Sequence, residues 1–520
     1  MKRKKISIAA ARTKVDEAES RELCPYFDNL PSHLTAHILL RLPFKSVLIC
    51  KSVCKVWKTM ISESQFAKLH FERSPISLMI RTRHRVSRTL YLLECEPDKF
   101  EIGSNNHVKL APIFKLPLRS FRDKRDQINI ESKRPFRAAR LVSGKNNDNS
   151  DRGRQSLYID CNRDIDKFDI VNSCNGLLCL SDPSFGNPIV ICNPVTGEFI
   201  RLPESTTNRT RVRMQGQAGF GFQPKTNEYK VISVWIRHVK QANQWVFERV
   251  ILEINTLGTT SWRNVEVDPQ ISFSSLKYPT CVNGALHWIR FEDEQRSILV
   301  FCFESERLQS FPSPPHVFGN HNVYCSRPIS MGELKGFLYI CDPTFISNVS
   351  MWVMNEYGIG ESWTKIYNID TSFNPLDRVP RGYGLSWPIK HFEEGAAILS
   401  YHSFNCFTYY EPEKYGFKVF RIHGSRKNYF EVIQHIPSLI SLKDVLKGVN
   451  IEVLNIHSRC AKFKLRGEKE SLVKSLLPKK STSAFVLIGV QILNYMKKMK
   501  ILNDVLTSSS GGEAFGEEYS

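Results

Sequence analysis

Few residues in this chain stand in the patterns that chemistry needs. His33 and His37 lie one helical turn apart, a spacing at which two imidazoles share a metal, but a zinc-protease helix requires Glu directly after the first His, and Leu34 occupies that place. The pair reads as a solvated helix face. No Gly-rich loop ending in Lys-Ser or Lys-Thr is present to cradle a phosphate. Gly219-Phe220-Gly221 runs on into the strand-like Tyr229-Lys230-Val231-Ile232-Ser233-Val234 rather than a helix, against dinucleotide binding. The 14 cysteines include no C-x-x-C pair, and Cys50/Cys54 and Cys174/Cys179 have the wrong spacing for zinc clusters. They are expected as reduced, mostly buried thiols of an intracellular chain. Trp235, Trp245 and Trp288 are expected in a core rather than around a ligand. No nucleophile has a recognisable paired base, so a non-catalytic chain without cofactor or metal is expected. What remains is the chemistry of association.

The segment from Leu30 to Phe71 has the residues for it. Two Leu-Pro pairs, Leu30-Pro31 and Leu42-Pro43, punctuate a run of helical periodicity. Pro31 suits the first turn of a helix, and Leu34, Ile38 and Leu42 then share a face until Pro43 stops it. Val47, Cys50, Val53, Cys54, Trp57 and Ile61 continue at three- and four-residue steps, with Lys45, Lys51, Lys55 and Lys58 on the other faces. Two or three short helices with one apolar side are predicted. About forty residues is near the limit for a self-supporting core, so a partner is expected to complete it.

From about Ser74 the period changes from helical to alternating. Residues 76–80 and 90–93 read as strands, and a polar stretch at about 120–160 reads as an insertion. A weak repeat follows: Asn175-Gly176, Asn283-Gly284, Lys335-Gly336 and Glu394-Gly395 each lead from a turn into an apolar run. Each of the first, second and fourth is succeeded by a second turn, at 193–197, 303–306 and 411–414. Hairpins succeed one another at intervals near 50 residues, which propeller blades give. Trp262, Trp363 and Phe420, late in their units, are expected to wedge between blades. The paired glycines of true kelch repeats are missing.

The first segment closely resembles the F-box, the helical module that docks a Skp-type adaptor and through it a cullin ubiquitin ligase. Leu30-Pro31, Ile38-Leu39, Leu42-Pro43 and Val53-Cys54-Lys55-x-Trp57 carry that resemblance. It implies that Leu30, Pro31, Leu34, Ile38, Leu39, Leu42, Pro43 and Val47 face the adaptor, and that Val53, Cys54 and Trp57 form the F-box core. The later segments resemble a plant family in which an F-box precedes an F-box-associated β-domain. The residues are Ser173 to Cys179, Cys192-Asn193-Pro194-x-Thr196-Gly197, Gly219 to Val231, Trp352 to Gly358 and Ser362 to Lys365. That resemblance implies a substrate-recognition subunit of an SCF (Skp-cullin-F-box) complex that recruits an unidentified protein for ubiquitination and proteasomal degradation. A non-degradative nuclear scaffold or a polyanion-binding β-domain is the alternative.

The expected organisation is multidomain α+β: a basic, disordered arm (1–22), a small helical F-box (23–71), a large, mostly antiparallel, propeller-like (kelch-like) β-domain (75–445) and a basic, partly helical tail with a disordered end (446–520). Charge adds little direction. The chain's net +20 is spread over many segments without a basic stripe interleaved with aromatics, so nucleic acid is not the expected partner. No signal-peptide-like or spanning segment is read, and nucleus and/or cytoplasm is the expected location.

Overall fold

The computed structural model describes residues 31–82, 89–94, 107–108, 111–115, 168–181, 188–203, 213–241, 244–292, 295–315, 317, 329–345, 348–370, 386–391, 398–402, 406–411, 416–422, 430–446 and 451–456. Leu30, the 120–160 insertion, Glu394-Gly395, the N-terminal arm and nearly all of the tail lie outside them. The chain divides into two compact units. One holds the helices to Pro75 together with Ile436–Asp444, and the other runs from Ile76 to His435 and resumes at Val445.

Among the described residues up to Pro75 there are four helices where two or three were expected: α1 (Ser32–Leu40), α2 (Phe44–Cys50), α3 (Lys55–Ser62) and α4 (Ser64–Arg73). Glu63 makes the difference, because its extended backbone (φ −71°, ψ 138°) separates α3 from α4. Pro31 acts one residue earlier than expected, and Pro43 acts at the start of a helix rather than at the end of one. Pro31 (ψ 140°) and Pro43 (ψ 146°) are extended N-caps, and their carbonyls accept the first helical bonds, from Thr35 and Val47. Pro43 thus opens α2 rather than ending α1.

Among its described residues the second unit is built of strands, with one 3-10 turn at Gly360–Ser362. In chain order its strands are β1 (Ser77–Thr82), β2 (Thr89–Glu94), β3 (His107–Val108), β4 (Ala111–Lys115), β5 (Asp169–Cys174), β6 (Leu177–Ser181), β7 (Pro188–Asn193) and β8 (Glu198–Arg201). The long hairpin strands follow, as β9 (Arg213–Gln223), β10 (Glu228–Gln241), β11 (Gln244–Thr256) and the short β12 (Arg263–Val265). Then come β13 (Ser275–Val282), β14 (Ala285–Glu292), β15 (Gln295–Cys302), β16 (Arg307–Phe311), β17 (Ser330–Leu334), β18 (Phe337–Phe345), β19 (Asn348–Met354) and β20 (Trp363–Asp370). The last are β21 (Ser386–His391), β22 (Ile398–His402), β23 (Cys406–Glu411), β24 (Gly416–Ile422), β25 (Phe430–His435) and β26 (Leu454–Asn455).

Among the described residues these strands form six sheets of four or five, which we number as blades I to VI. Blade I takes β1, β2 and β4 from the start of the unit and β25 from its end. Blades II to VI are built in turn on β5–β8, β9–β12, β13–β16, β17–β20 and β21–β24. The strands β25, β5, β9, β13, β17 and β21, one from each blade, lie side by side in that order, as around a propeller axis. β1 pairs along its whole length with β25, so residues about 350 apart close one sheet and remove an edge. Leu454–Asn455, in the segment assigned above to the tail, adds to β8 as an edge strand of blade II.

The turn repeat is the first hairpin of blades II, IV and V. Asn175-Gly176, Asn283-Gly284 and Lys335-Gly336 all have positive φ (46° and 77°, 50° and 68°, 52° and 86°), the two-residue turn whose twist matches its strands. Gly219 and Gly221 serve a different purpose. A Cβ at Gly219 would overlap Leu286, and one at Gly221 would overlap Phe303, so the glycines let blade IV close onto β9. There Leu286, Trp288, Phe301 and Phe303 pack on Ile232, Val234, Ile236, Leu252 and Ile254.

Candidate functional site

In the helical unit, the residues expected to face an adaptor fall into two groups. Ile38, Leu39, Leu42 and Val47 are buried within this chain, while Pro31 is exposed and Leu34 and Pro43 are half-buried. The buried four pack within this chain, and Pro31, Leu34 and Pro43 are the members of the set that reach its surface. Helix α4, which closes the 30–71 segment, packs on α1. Phe66, Ala67 and His70 of α4 are buried as well. His70 Nε2 donates to the Leu42 carbonyl (3.0 Å), an acceptor that the break between α1 and α2 would otherwise orphan. Burial holds the His70 pKa below the usual range, so the ring stays neutral and keeps its acceptor side towards the Ser74 hydroxyl (3.2 Å).

The expected F-box core divides likewise. Trp57 is buried, Val53 is half-buried and Cys54 is exposed. Cys54 is no core residue. It is the N-cap of α3, its Sγ accepting from the Trp57 backbone N–H (3.4 Å). His33 and His37 lie on the exposed face of α1, as read. Val56 and Leu69 are exposed apolar residues of this unit that the sequence reading did not single out.

In the β-unit the chemistry-bearing residues are spent on seams between blades. Arg81 of β1, with its side chain 5% exposed, reaches Glu431 of β25 (2.6 Å) and Asp169 of β5 (2.6 Å), tying the closing blade to the next one. Asn172 of β5 clamps the Phe220 backbone in both directions, accepting its N–H (3.0 Å) and donating to its carbonyl (2.7 Å). Lys230 reaches the Phe303 carbonyl and Glu306 across the seam between blades III and IV (both 3.3 Å). Arg263 bonds the same carboxylate and holds its pKa below the usual range. Trp262 and Trp363 do wedge as expected, each in the same way. Trp262 Nε1 donates to Pro203 O (2.7 Å) and Trp363 Nε1 to Pro312 O (3.1 Å), in each case the proline just beyond the preceding blade's last strand. The side chain of Phe420 lies outside the described residues.

Two buried histidines also sit at seams. His287 of β14 donates from Nδ1 to Thr280 O (3.2 Å) and accepts at Nε2 from the Tyr357 hydroxyl of blade V (2.9 Å), with Phe311 edge-on to it. Burial lowers its pKa to about 4. His435 of β25 lies 3.0 Å from the Ser173 hydroxyl of β5, and burial lowers its pKa to about 3. Both rings are neutral braces. Trp235 and Trp288 are core, as expected, and five of the eight cysteines whose side chains are described are buried. No helix among the described residues is long and apolar enough to cross a membrane.

A small helical module followed by a β-propeller, in which Arg81, Asn172, Lys230, Trp262 and Trp363 bond from blade to blade, defines the class by its architecture. The comparisons give the family. Residues 27–69 match the F-box domain, and residues 130–445 match the F-box associated beta propeller domain. The chain belongs to the family of F-box proteins that carry this propeller. Among its relatives in Arabidopsis thaliana, the F-box protein At3g07870 is 29% identical over 308 residues, 52% of this chain and 70% of that protein. The F-box/kelch-repeat protein At3g23880 is 24% identical over 361 residues, 68% and 83% respectively.

Proposed function

We propose that this chain is the substrate-recognition subunit of an SCF-type ubiquitin ligase in the nucleus and/or cytoplasm. The helical unit binds a Skp-type adaptor and through it a cullin scaffold, and the propeller holds a protein to be ubiquitinated and degraded. The observation that supports this reading is the presence in one chain, in this order, of an F-box match and an F-box-associated propeller match. The chain itself performs no bond chemistry in this scheme. A conjugating enzyme brought by the cullin carries the ubiquitin thioester, and the receptor raises the effective concentration of substrate lysines beside it.

The test is co-purification of the full chain with adaptor and cullin, beside a Leu34→Glu variant. Leu34 is chosen because it is half-buried on α1, whereas a charge at buried Leu42 would unfold the module and say nothing about contact. The wild type is expected to recover both proteins, and the variant, with an unchanged circular dichroism spectrum, neither. A wild-type chain that recovers no adaptor overturns the proposal. A captured substrate whose abundance ignores proteasome inhibition makes the chain a scaffold instead.

A further inference from the structure

Seven large apolar side chains stand out as exposed among the described residues, and four of them, Phe337, Tyr357, Ile359 and Ile366, belong to blade V. Three gather at one end of it. Antiparallel alternation puts the β17–β18 turn and the β19–β20 turn at the same end. Phe337 lies two residues beyond the Tyr339–Val353 pair, towards that end, and Tyr357 and Ile359 follow in the second turn. Their exposures are 45%, 39% and 48%.

The turn that carries Tyr357 and Ile359 is braced from within. Ser362 Oγ accepts from the Glu356 N–H (3.1 Å) and lies within donating distance of the Glu356 and Ile359 carbonyls (2.8 and 2.7 Å). Ile359 N–H bonds Glu356 O, Ser362 N–H bonds Ile359 O, and Asn355 N–H bonds Ser362 O. The Asn355 side chain reaches Thr364 Oγ1 (3.0 Å), and the Tyr357 hydroxyl is pinned to His287. A braced turn that keeps an aromatic and a branched aliphatic in water has the character of a preorganised binding anchor, because little side-chain or loop entropy is left to lose on contact.

Charge selects the occupant. Glu356 and Glu361 flank the two apolar side chains, both are exposed, and neither carboxylate has a partner among the described residues. Of the cations on the two hairpins, Lys335 has an interaction within the chain and Lys365 lies over the Trp352 ring (5.1 Å). We infer that this end of blade V is a docking surface for a protein segment that presents an apolar anchor beside Lys or Arg. The inference rests on the receptor reading above and names the class of substrate segment the propeller takes. It runs against the chain's overall charge: a body of net +20 attracts acidic segments non-specifically, and this surface selects basic ones.

The full chain is titrated with two labelled nonapeptides that share a central Leu-Phe pair, one flanked by Lys and the other by Glu. The Lys-flanked peptide is expected to bind at least ten-fold tighter. Phe337→Glu and Ile359→Glu, at exposed positions, each weaken it at least ten-fold. The double variant Glu356→Lys/Glu361→Lys reverses the preference. No binding of the Lys-flanked peptide by the wild type, equal binding of both, or indifference to Ile359→Glu overturns the inference. So does sedimentation showing that the wild type self-associates and Ile359→Glu releases it, since the occupant is then a second copy. Adaptor recovery is measured on the same samples. Intact recovery without peptide selectivity removes the docking surface alone, and selectivity without adaptor recovery removes the receptor reading alone.

Discussion

The helical unit and the propeller use their polar groups over different distances. In the first, the bonds that matter are short in sequence: proline carbonyls opening α1 and α2, Cys54 capping α3, and one longer reach from His70 to Leu42 across 28 residues. In the second, the seams are closed by side chains 43 to 350 residues apart, among them Arg263 on Glu306, Asn172 on Phe220 and Arg81 on Glu431. The difference teaches where each part is vulnerable. A unit held by local caps loses stability in small steps. A ring of blades has a closing seam whose failure opens an edge along β1 and β25.

The sharpest way to break that comparison is Arg81→Ala. It leaves the Glu431 carboxylate without its cation in a side chain only 17% exposed, and a buried pair that loses one partner typically costs about 3–5 kcal/mol. The expected outcome is a large fall in the urea midpoint of the β-unit, followed by its own tryptophans. A loss under about 1 kcal/mol, the scale of an exposed pair, would mean that backbone pairing of β1 with β25 closes the ring unaided.

Acid is the next test, and it acts on both units. His287 titrates at about 4 in the fold against 6.5 in the open chain. Above 6.5 both states are neutral and its contribution is complete. As pH falls from 6.5 to about 4 only the unfolded state takes the proton, so stability falls, by about 3 kcal/mol at full development. His435 extends the same loss to about pH 3. His70 shifts in the same direction in the helical unit. Equilibrium melts between pH 7 and 4 are expected to show the decline, with a shallower slope in His287→Gln. An unchanged slope in that variant would place the acid sensitivity elsewhere.

The sequence disclosed the local part of this fold and little of the rest. Asn-Gly turns announce their own positive φ, so the first hairpins of blades II and IV could be read without coordinates, and Lys335-Gly336 by analogy with them. The two indoles expected between blades are there because a residue of that size late in a blade meets its neighbour. The pairing of β1 with β25 and of β26 with β8 left no trace, since partners so far apart share no local period. In the helical unit, motif spacing identified the module but not which of its apolar residues stay outside. Exposure there depends on α4, whose His70 and Ala67 carry no apolar stripe of their own. At the docking end of blade V the sequence carries only a family pattern, Trp352 to Gly358. What marks it physically is that Tyr357 and Ile359 stay exposed on a braced turn, which burial reveals and composition does not.

The finest test of the seams compares three indoles. Trp262 and Trp363 each give one hydrogen bond to a proline carbonyl of the preceding blade, over 59 and 51 residues. Trp288 is buried more deeply, at 1% exposure, yet its Nε1 has no partner among the described residues. Replacing each by Phe removes a similar volume from a similar environment, so the packing loss should be roughly common to all three. What differs is the N–H. At Trp262 and Trp363 the substitution also strands a carbonyl, adding about 1 kcal/mol or more, whereas at Trp288 it relieves a buried donor that nothing satisfies. The most buried of the three is therefore expected to be the cheapest to replace, and Trp262→Phe and Trp363→Phe should fall together above it. Equal costs at all three positions would mean that the seams are held by apolar contact alone, and that the repeated indole-to-proline bond is a consequence of blade packing rather than one of its causes.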